Sequence, residues 1–432
     1  MPQTTSKTAV WITLWLVALA GVYAQCAAGG EAVPSNEPVV VVEAGPLRFT
    51  EHCLMQGYTY AYGLSAHDVD GDGDLDLTSA DAETNSNVYL LLNDGRGKFA
   101  SSILQKHKAD DSTDPIRLER HKLGDVNGDG RPDLVIVDNL QWDIRWNENP
   151  GPQGLAKPWP LHRVAEPKEV PGSYDVSLAD FDGDGDLDVA ASSWRFGNRF
   201  DWFENVGAPG NGGKWQRREV ARDIGETRTI EAADFNRDGR PDLLGTSRGA
   251  NLVAWFENSG TGPALTWKQH VIDDQTLYPC HGHAVDFDKD GDLDVVMTFG
   301  LAGGTPVASG TSHQVAWYEN VGAPGDSMKW TKHLIGTEFS NGFEAVTGDL
   351  DGDGDLDVVA TGWTADGRIV WFENSGDAAG EWKQHVLKHP WTNAVTVVVC
   401  DLDGDQRLDI VACAERTDNE LRWWRNEGSS KK

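Results

Sequence analysis

From residue 47 to residue 426 the chain alternates between short apolar runs and tight polar turns, with no helical periodicity between them. Runs such as Asp357-Val358-Val359-Ala360-Thr361 are rich in β-branched residues and bounded by Gly, Asn and Asp, the pattern of strands in an all-β protein. The pattern repeats. Seven times a short strand enters a nine-residue acidic turn and a β-branched strand leaves it, with first aspartates 52 to 63 residues apart. A third strand carries Trp-Phe-Glu-Asn at Trp202–Asn205, Trp255–Asn258 and Trp371–Asn374, with variants at Trp146–Asn149 and Trp317–Asn320. A fourth carries Trp and His three apart, at Trp267/His270, Trp330/His333 and Trp382/His385. Self-similarity at this period marks a repeat architecture, and four strands per unit of roughly 50 residues is the blade of a β-propeller. The predicted fold is all-β: a seven-bladed β-propeller with four antiparallel strands per blade.

The two ends complete each other. The seventh unit stops after its third strand at Asn426, and Leu47–His52 resembles the fourth-strand segment Trp382–His385. An N-terminal strand is therefore expected to complete blade seven and remove the open sheet edge. Ahead of it, Lys7, the apolar stretch Ala9–Ala20 and Ala24 before Gln25 read as a secretory signal peptide over residues 1–24. Residues 25–46 read as a linker, 47–426 as the propeller and 427–432 as a tail. The expectation is a secreted protein, periplasmic or extracellular, monomeric and free of the membrane once the signal is cleaved.

Charge narrows the partners. With 37 Lys+Arg against 68 Asp+Glu the formal net charge is −31, which disfavours nucleic acid, because phosphate contact needs a basic surface. The 18 Trp, 13 Phe and 8 Tyr are too many aromatic residues for a disordered chain. The five cysteines left after cleavage, Cys26, Cys53, Cys280, Cys400 and Cys413, are irregularly spaced and contain no CxxC pair, so neither a disulfide framework nor a zinc site is indicated. Cys400 and Cys413 flank one hairpin, which leaves a bridge between them open.

The acidic turns hold 30 of the 68 acidic residues. Their candidate metal ligands, at turn positions 1, 3, 5 and 9, are Asp68, Asp70, Asp72 and Asp76; Asp125, Asn127, Asp129 and Asp133; Asp180, Asp182, Asp184 and Asp188; and Asp234, Asn236, Asp238 and Asp242. The remaining turns supply Asp286, Asp288, Asp290 and Asp294; Asp349, Asp351, Asp353 and Asp357; and Asp401, Asp403, Asp405 and Asp409. Carboxylates crowded this closely need a hard, oxygen-liking cation. An EF-hand is excluded, because the flanks are strands and position 12 is never Glu. The repeated Asp-x-Asp-Gly-Asp-Gly-x-x-Asp, together with Trp-Phe-Glu-Asn, resembles the FG-GAP/VCBS repeats of calcium-binding propellers. That family includes integrin-type adhesion domains, fungal lectins and the propeller part of aldos-2-ulose dehydratases. The resemblance implies up to seven structural Ca²⁺ ions. It also implies a backbone-carbonyl ligand at position 7, where Arg131, Arg240 and Arg407 would be tolerated. Loop seven places Gln406 where the other six have Gly, so its site is expected to be the weakest.

A ligand would sit on the face opposite these loops, built from segments that precede the inner strands and from turns between second and third strands. Those segments supply Tyr60, Tyr62, Arg117, Glu119, Tyr174, Glu226, Arg228, His281, His283, Asn341, Glu344 and Trp391. The turns add Trp142, Trp194, Arg195, Arg248, Trp363 and Arg416. In blade five the turn is longer by nine or ten residues, within Gly300–Gln314. The Trp of each Trp-Phe-Glu-Asn and the fourth-strand histidines recur once per blade and are expected to be structural; only unrepeated residues can make a single site. The functional expectation is a calcium-stabilised propeller that binds carbohydrate or polysaccharide. The alternative is a polysaccharide lyase or sugar dehydratase, with His281, His283, Tyr60, Tyr62 or Tyr174 abstracting a proton and Arg117 or Arg228 stabilising the oxyanion. A further alternative is an adhesion or scaffold module.

Overall fold

The structure, a computed structural model, describes residues 32–83, 86–106, 116–206, 211–260, 262, 265–301, 313–322 and 328–429. The proposed signal peptide, and residues 302–312 of the long blade-five turn, lie outside the described residues. Among the described residues no helix is long and apolar enough to cross a membrane. Seven separate antiparallel sheets form, one per repeat, and each runs from an inner strand outward in chain order. Blade three is representative: Ser173–Ala179, Asp188–Ser193, Arg199–Asn205 and Trp215–Arg222.

Blade seven is the exception that closes the ring. Its inner three strands are Ala394–Cys400, Asp409–Ala414 and Glu420–Ser429, and its fourth is the N-terminal strand Leu47–Gln56. His52 stacks on Trp423 there with ring centroids 4.7 Å apart. The segment expected to be a linker contributes more than that expectation held. Val40–Ala44 pairs antiparallel with Leu47–Gln56, and Val33–Pro34 pairs with Met55 and Gln56, so the edge of blade seven carries two extra strands. Cys53, Cys280, Cys400 and Cys413 are all free thiols.

Repeated side chains hold the blades to one another. Trp146, Trp202, Trp255, Trp317 and Trp371 are buried in the clusters between blades. Three of them donate Nε1–H to the next unit: Trp146 to the Gly212 carbonyl (3.3 Å), Trp317 to Ala378 (2.9 Å) and Trp371 to Ala44 (3.2 Å). The fourth-strand histidines stack on the same tryptophans, with His270 4.2 Å from Trp255 and His333 4.6 Å from Trp317. Their Nε2 atoms meet the Glu of Trp-Phe-Glu-Asn, as in His270 with Glu257 and His385 with Glu373, both 2.7 Å. The Asn of the same motif reaches the other way. Asn149, Asn205, Asn258 and Asn426 donate Nδ2–H to Val69, Val126, Phe181 and Leu350 of the preceding blade, at 2.8–3.0 Å. In blade two the one motif thus bonds both neighbours, through Trp146 and Asn149.

Candidate functional site: an axial cavity opposite seven acidic loops

The ninth residue of every acidic loop does the same local work. The carboxylates of Asp76, Asp133, Asp188, Asp242, Asp294, Asp357 and Asp409 accept the backbone N–H of loop position 2 and that of the third-strand Asn, at 2.7–3.2 Å. All seven are buried. Burial foremost, with Asp182 and Asp186 adding to it, pushes Asp188 up to about 8, so the turn favours any cation that offsets this crowding.

The loops fall into two groups. In loops one, three, five and six, three carboxylates each bring an oxygen within 4.8 Å of the others: Asp68, Asp70 and Asp76; Asp180, Asp182 and Asp188; Asp286, Asp288 and Asp294; Asp349, Asp351 and Asp353. In loop five the buried Oδ1 of Asp286 has no hydrogen-bond partner. This donor set fits a hard divalent cation. In loops two, four and seven the position-7 arginine instead pairs with the position-5 aspartate: Arg131 with Asp129, Arg240 with Asp238 and Arg407 with Asp405. Loop seven also receives Arg425 on Asp403, and its Gln406 sits at φ 70, where the other loops use glycine at φ 84 to 99.

At the opposite ends of the inner strands lies a cavity of about 520 Å³. Twelve of the residues expected on this face line it: Tyr60, Tyr62, Arg117, Glu119, Trp142, Tyr174, Trp194, Arg195, Arg228, Arg248, Trp363 and Arg416. They are organised by stacking. Tyr60 and Tyr62 lie 5.4 Å apart, and the Arg117 and Arg416 guanidinium groups cover Tyr60 at 5.1 and 4.7 Å. Arg228 covers both Tyr174 and Trp194 at 4.7 Å, and Arg195 covers Trp194 at 3.9 Å. Trp142, Arg195 and Arg416 hold positive φ; such conformations concentrate at ligand sites.

Six further residues line the cavity: Asn139, Leu140, Phe196, Leu301, Phe343 and Glu415. Glu415 accepts from the Trp363 indole and from Arg416 Nε (3.1 Å). Register explains why Phe343 was missed. Every inner strand carries a register shift near its start, for example between Ala61 and Leu64 and between Leu118 and His121. Strict alternation fails there. The residues six before each first aspartate, Phe343 among them, form one ring around the axis, and their immediate successors form a second ring.

Glu226, His281, His283, Asn341, Glu344 and Trp391 do not line the cavity. His281 is buried in the second ring. Its Nε2 lies 3.0 Å from Tyr174 Oη and its Nδ1 3.0 Å from Thr229 Oγ1. Thr229 donates to the Cys280 carbonyl (3.2 Å), so its oxygen accepts from Nδ1–H, which leaves Nε2 as acceptor for the Tyr174 hydroxyl. Tyr62 then donates to Tyr174. Burial first, and Arg120 second, hold His281 well below the ordinary histidine range, so it is neutral. His283 lies deeper, 3.3 Å from Glu231 and 3.6 Å from Glu344. Burial alone would lower it, but the two carboxylates push it up to about 9. Glu344 also accepts from Arg120 (2.7 Å), which bridges to Asp175 (3.1 Å). Ion pairs thus join the inner strands below the cavity. Asn341 belongs to a turn whose amide meets His313 Nδ1 (3.3 Å). Trp391 is core, packed on Trp424 and donating to Glu420 at 2.7 Å.

A family model described as the FG-GAP-like repeat matches residues 125–191, 180–245, 234–297 and 349–412, more than half of the chain. The chain belongs to the FG-GAP-like repeat family. No curated protein matches it at a significant level. Among solved structures it is similar to virginiamycin B lyase from Staphylococcus aureus, in a catalytically inactive form with quinupristin. That match has 13% identity and a TM-score of 0.55, and covers 87% of this chain and 98% of the other. The selenomethionine form of the same lyase matches with 13% identity and a TM-score of 0.54, covering 87% of this chain and 99% of the other. Identity this low carries the propeller fold and nothing finer. The family match spans whole repeats, cavity residues such as Tyr174 and Arg228 included, so it shows the repeat and assigns no role to either face.

Proposed function

We propose that this FG-GAP-like repeat protein is an exported carbohydrate-binding propeller that takes its ligand in the axial cavity, with Ca²⁺ in loops one, three, five and six holding the opposite face together. The observation that carries this reading is the cavity lining: aromatic faces, guanidinium groups and carboxylates meet at one place that the repeat does not multiply. Aromatic faces cover the apolar faces of sugar rings, while Arg and Glu satisfy their hydroxyls. Bound calcium would supply positive charge to the carboxylates of loops one, three, five and six; Asp68, Asp180, Asp286 and Asp349 with their partners would hold it. A glycan array probed with the mature protein tests the reading. Retention of one glycan class that is lost in Trp194→Ala supports it, and no retention of any glycan by the calcium-loaded protein contradicts it.

A second reading, a lyase or dehydratase, rests on one observation. Glu119 lines the cavity with its Oε2 unpartnered, and burial foremost pushes its carboxyl up to about 7, in the range of a general acid or base. The two histidines favoured for that role are poorly placed, one neutral and buried and the other locked in ion pairs. An absorbance screen for unsaturated sugar products, with Glu119→Gln as control, tests it.

A further inference from the structure

The cavity carries more cationic groups than anionic ones, in a chain whose overall charge is −31. Most of those guanidinium groups already have carboxylate partners: Arg117 meets Glu83 and Glu119, Arg248 meets Glu226, and Arg416 meets Glu415. Arg228 differs. It is 7% exposed, its Nε has no hydrogen-bond partner, and among the described residues no carboxylate forms an ion pair with it: its side chain hydrogen-bonds Tyr174, and Glu119 acts on it only as a longer-range charge. Its plane rests on the rings of Tyr174 and Trp194. The buried Nε1–H of Trp194 likewise lacks an acceptor. One ring deeper, Arg120 shows how this fold treats a buried guanidinium that has only a structural role, giving it both Asp175 and Glu344.

A buried arginine with no carboxylate in direct contact is costly, because desolvation is only partly offset by a distant charge. Stacking on two aromatic faces recovers part of that cost. What remains unmet is an anionic acceptor, and a guanidinium offers a planar, two-toothed seat for a carboxylate.

We infer that Arg228 is the seat for a carboxylate of the ligand, so that the cavity selects acidic sugars, those bearing a uronic-acid carboxylate, over neutral ones of the same ring. This rests on the carbohydrate reading and adds charge selectivity to it. Arg228 holds the carboxylate, while the Trp194 face on which it lies covers the ring that bears it.

Titration calorimetry with uronic-acid oligosaccharides of the galacto and gluco series, each paired with its methyl ester, separates the two claims. The ester keeps the ring and removes the charge. The calcium-loaded protein should bind one acid at least about tenfold more tightly than its ester, as a charge-assisted, bidentate contact implies. That preference should shrink as salt is raised. Arg228→Met should bring acid and ester to near-equal affinity, and Arg228→Lys should restore part of the difference. If Arg228→Met fails to fold, the Arg228→Lys titration and the salt series on the parent carry the test. Equal binding of acid and ester by the parent overturns the carboxylate seat and leaves the carbohydrate reading standing. An undiminished preference in a folded Arg228→Met also overturns the seat. Binding of neither series overturns both.

Discussion

On the loop face one contact recurs in all seven blades: a buried aspartate at loop position 9 accepts the same two backbone amides from Asp76 through to Asp409. On the cavity face the equivalent ring position holds Tyr62, Glu119, Tyr174, Arg228, Cys280, Phe343 and Val395, six residue types in seven places. The scaffold is the same for both faces, so the difference lies in what each residue serves. A residue that every blade needs is repeated; a residue that one ligand needs is not. The comparison also divides the loops, because three of the seven carry an internal arginine on the carboxylate that a metal would use.

The comparison breaks most visibly at the closure. Deleting residues up to 54 removes the buried Leu47 and Phe49 and most of blade seven's fourth strand. Large buried side chains contribute about 2–5 kcal/mol each, against a total stability of about 5–15 kcal/mol. The expected outcome is loss of the cooperative thermal transition, checked by calorimetry; a truncation that melts like the parent would mean the ring closes in another way. Calcium removal comes next. Chelation should lower the melting temperature strongly, and Ca²⁺ should restore it where equal Mg²⁺ does not. Each occupied site adds about 2.7 kcal/mol at a hundredfold excess over its Kd. Asp288→Asn in loop five should reduce this calcium-dependent rise more than Asp403→Asn in loop seven, whose carboxylate already meets Arg425.

Smaller still is the effect of one inter-blade anchor. Trp371→Ala should cost about 3–5 kcal/mol by urea denaturation, because the ring is fully buried and its indole N–H ties blade six to Ala44. The smallest effect is a pH slope. His283 is raised to about 9 by Glu231 and Glu344, with Arg120, His281 and Lys122 also nearby. Its contribution is complete below its ordinary value of 6.5 and is lost as pH rises through about 9. Melting temperature at saturating calcium should therefore fall across that window, and His283→Gln should flatten the slope. An unchanged slope in that variant would place the titration elsewhere.

The ring was legible in the sequence because its determinants are local and repeated: the nine-residue turns, Trp-Phe-Glu-Asn, and the partnered fourth-strand histidines such as His270 and His385. The fourth-strand identity of Leu47–His52 was legible for the same reason. Most of the cavity lining followed from where each residue stands relative to the loops. What did not follow was depth. The inner-strand register shifts place neighbouring residues on the axis in successive rings, so His281 and Glu344 fall below the cavity floor while Cys280 and Phe343 fall in the ring above them. No spacing rule announces such a shift. Trp391 resembled a ligand-face aromatic by position, yet its environment is set by Trp424 and Glu420, contacts distant in sequence. The pairing of Arg131, Arg240 and Arg407 with their own loops likewise depends on side-chain direction, which a motif does not carry.

The central claim is that the unrepeated face binds and the repeated face holds. Its most direct test is calorimetric titration of the retained glycan into Trp194→Ala and Trp371→Ala, with each variant's melting temperature measured alongside. Losing an aromatic stacking face should weaken binding by about 10–100-fold in Trp194→Ala, with melting close to the parent's. Trp371→Ala, below its own transition, should bind as the parent does and melt markedly lower. Parent-like affinity in Trp194→Ala, or lost affinity in folded Trp371→Ala, would contradict the account.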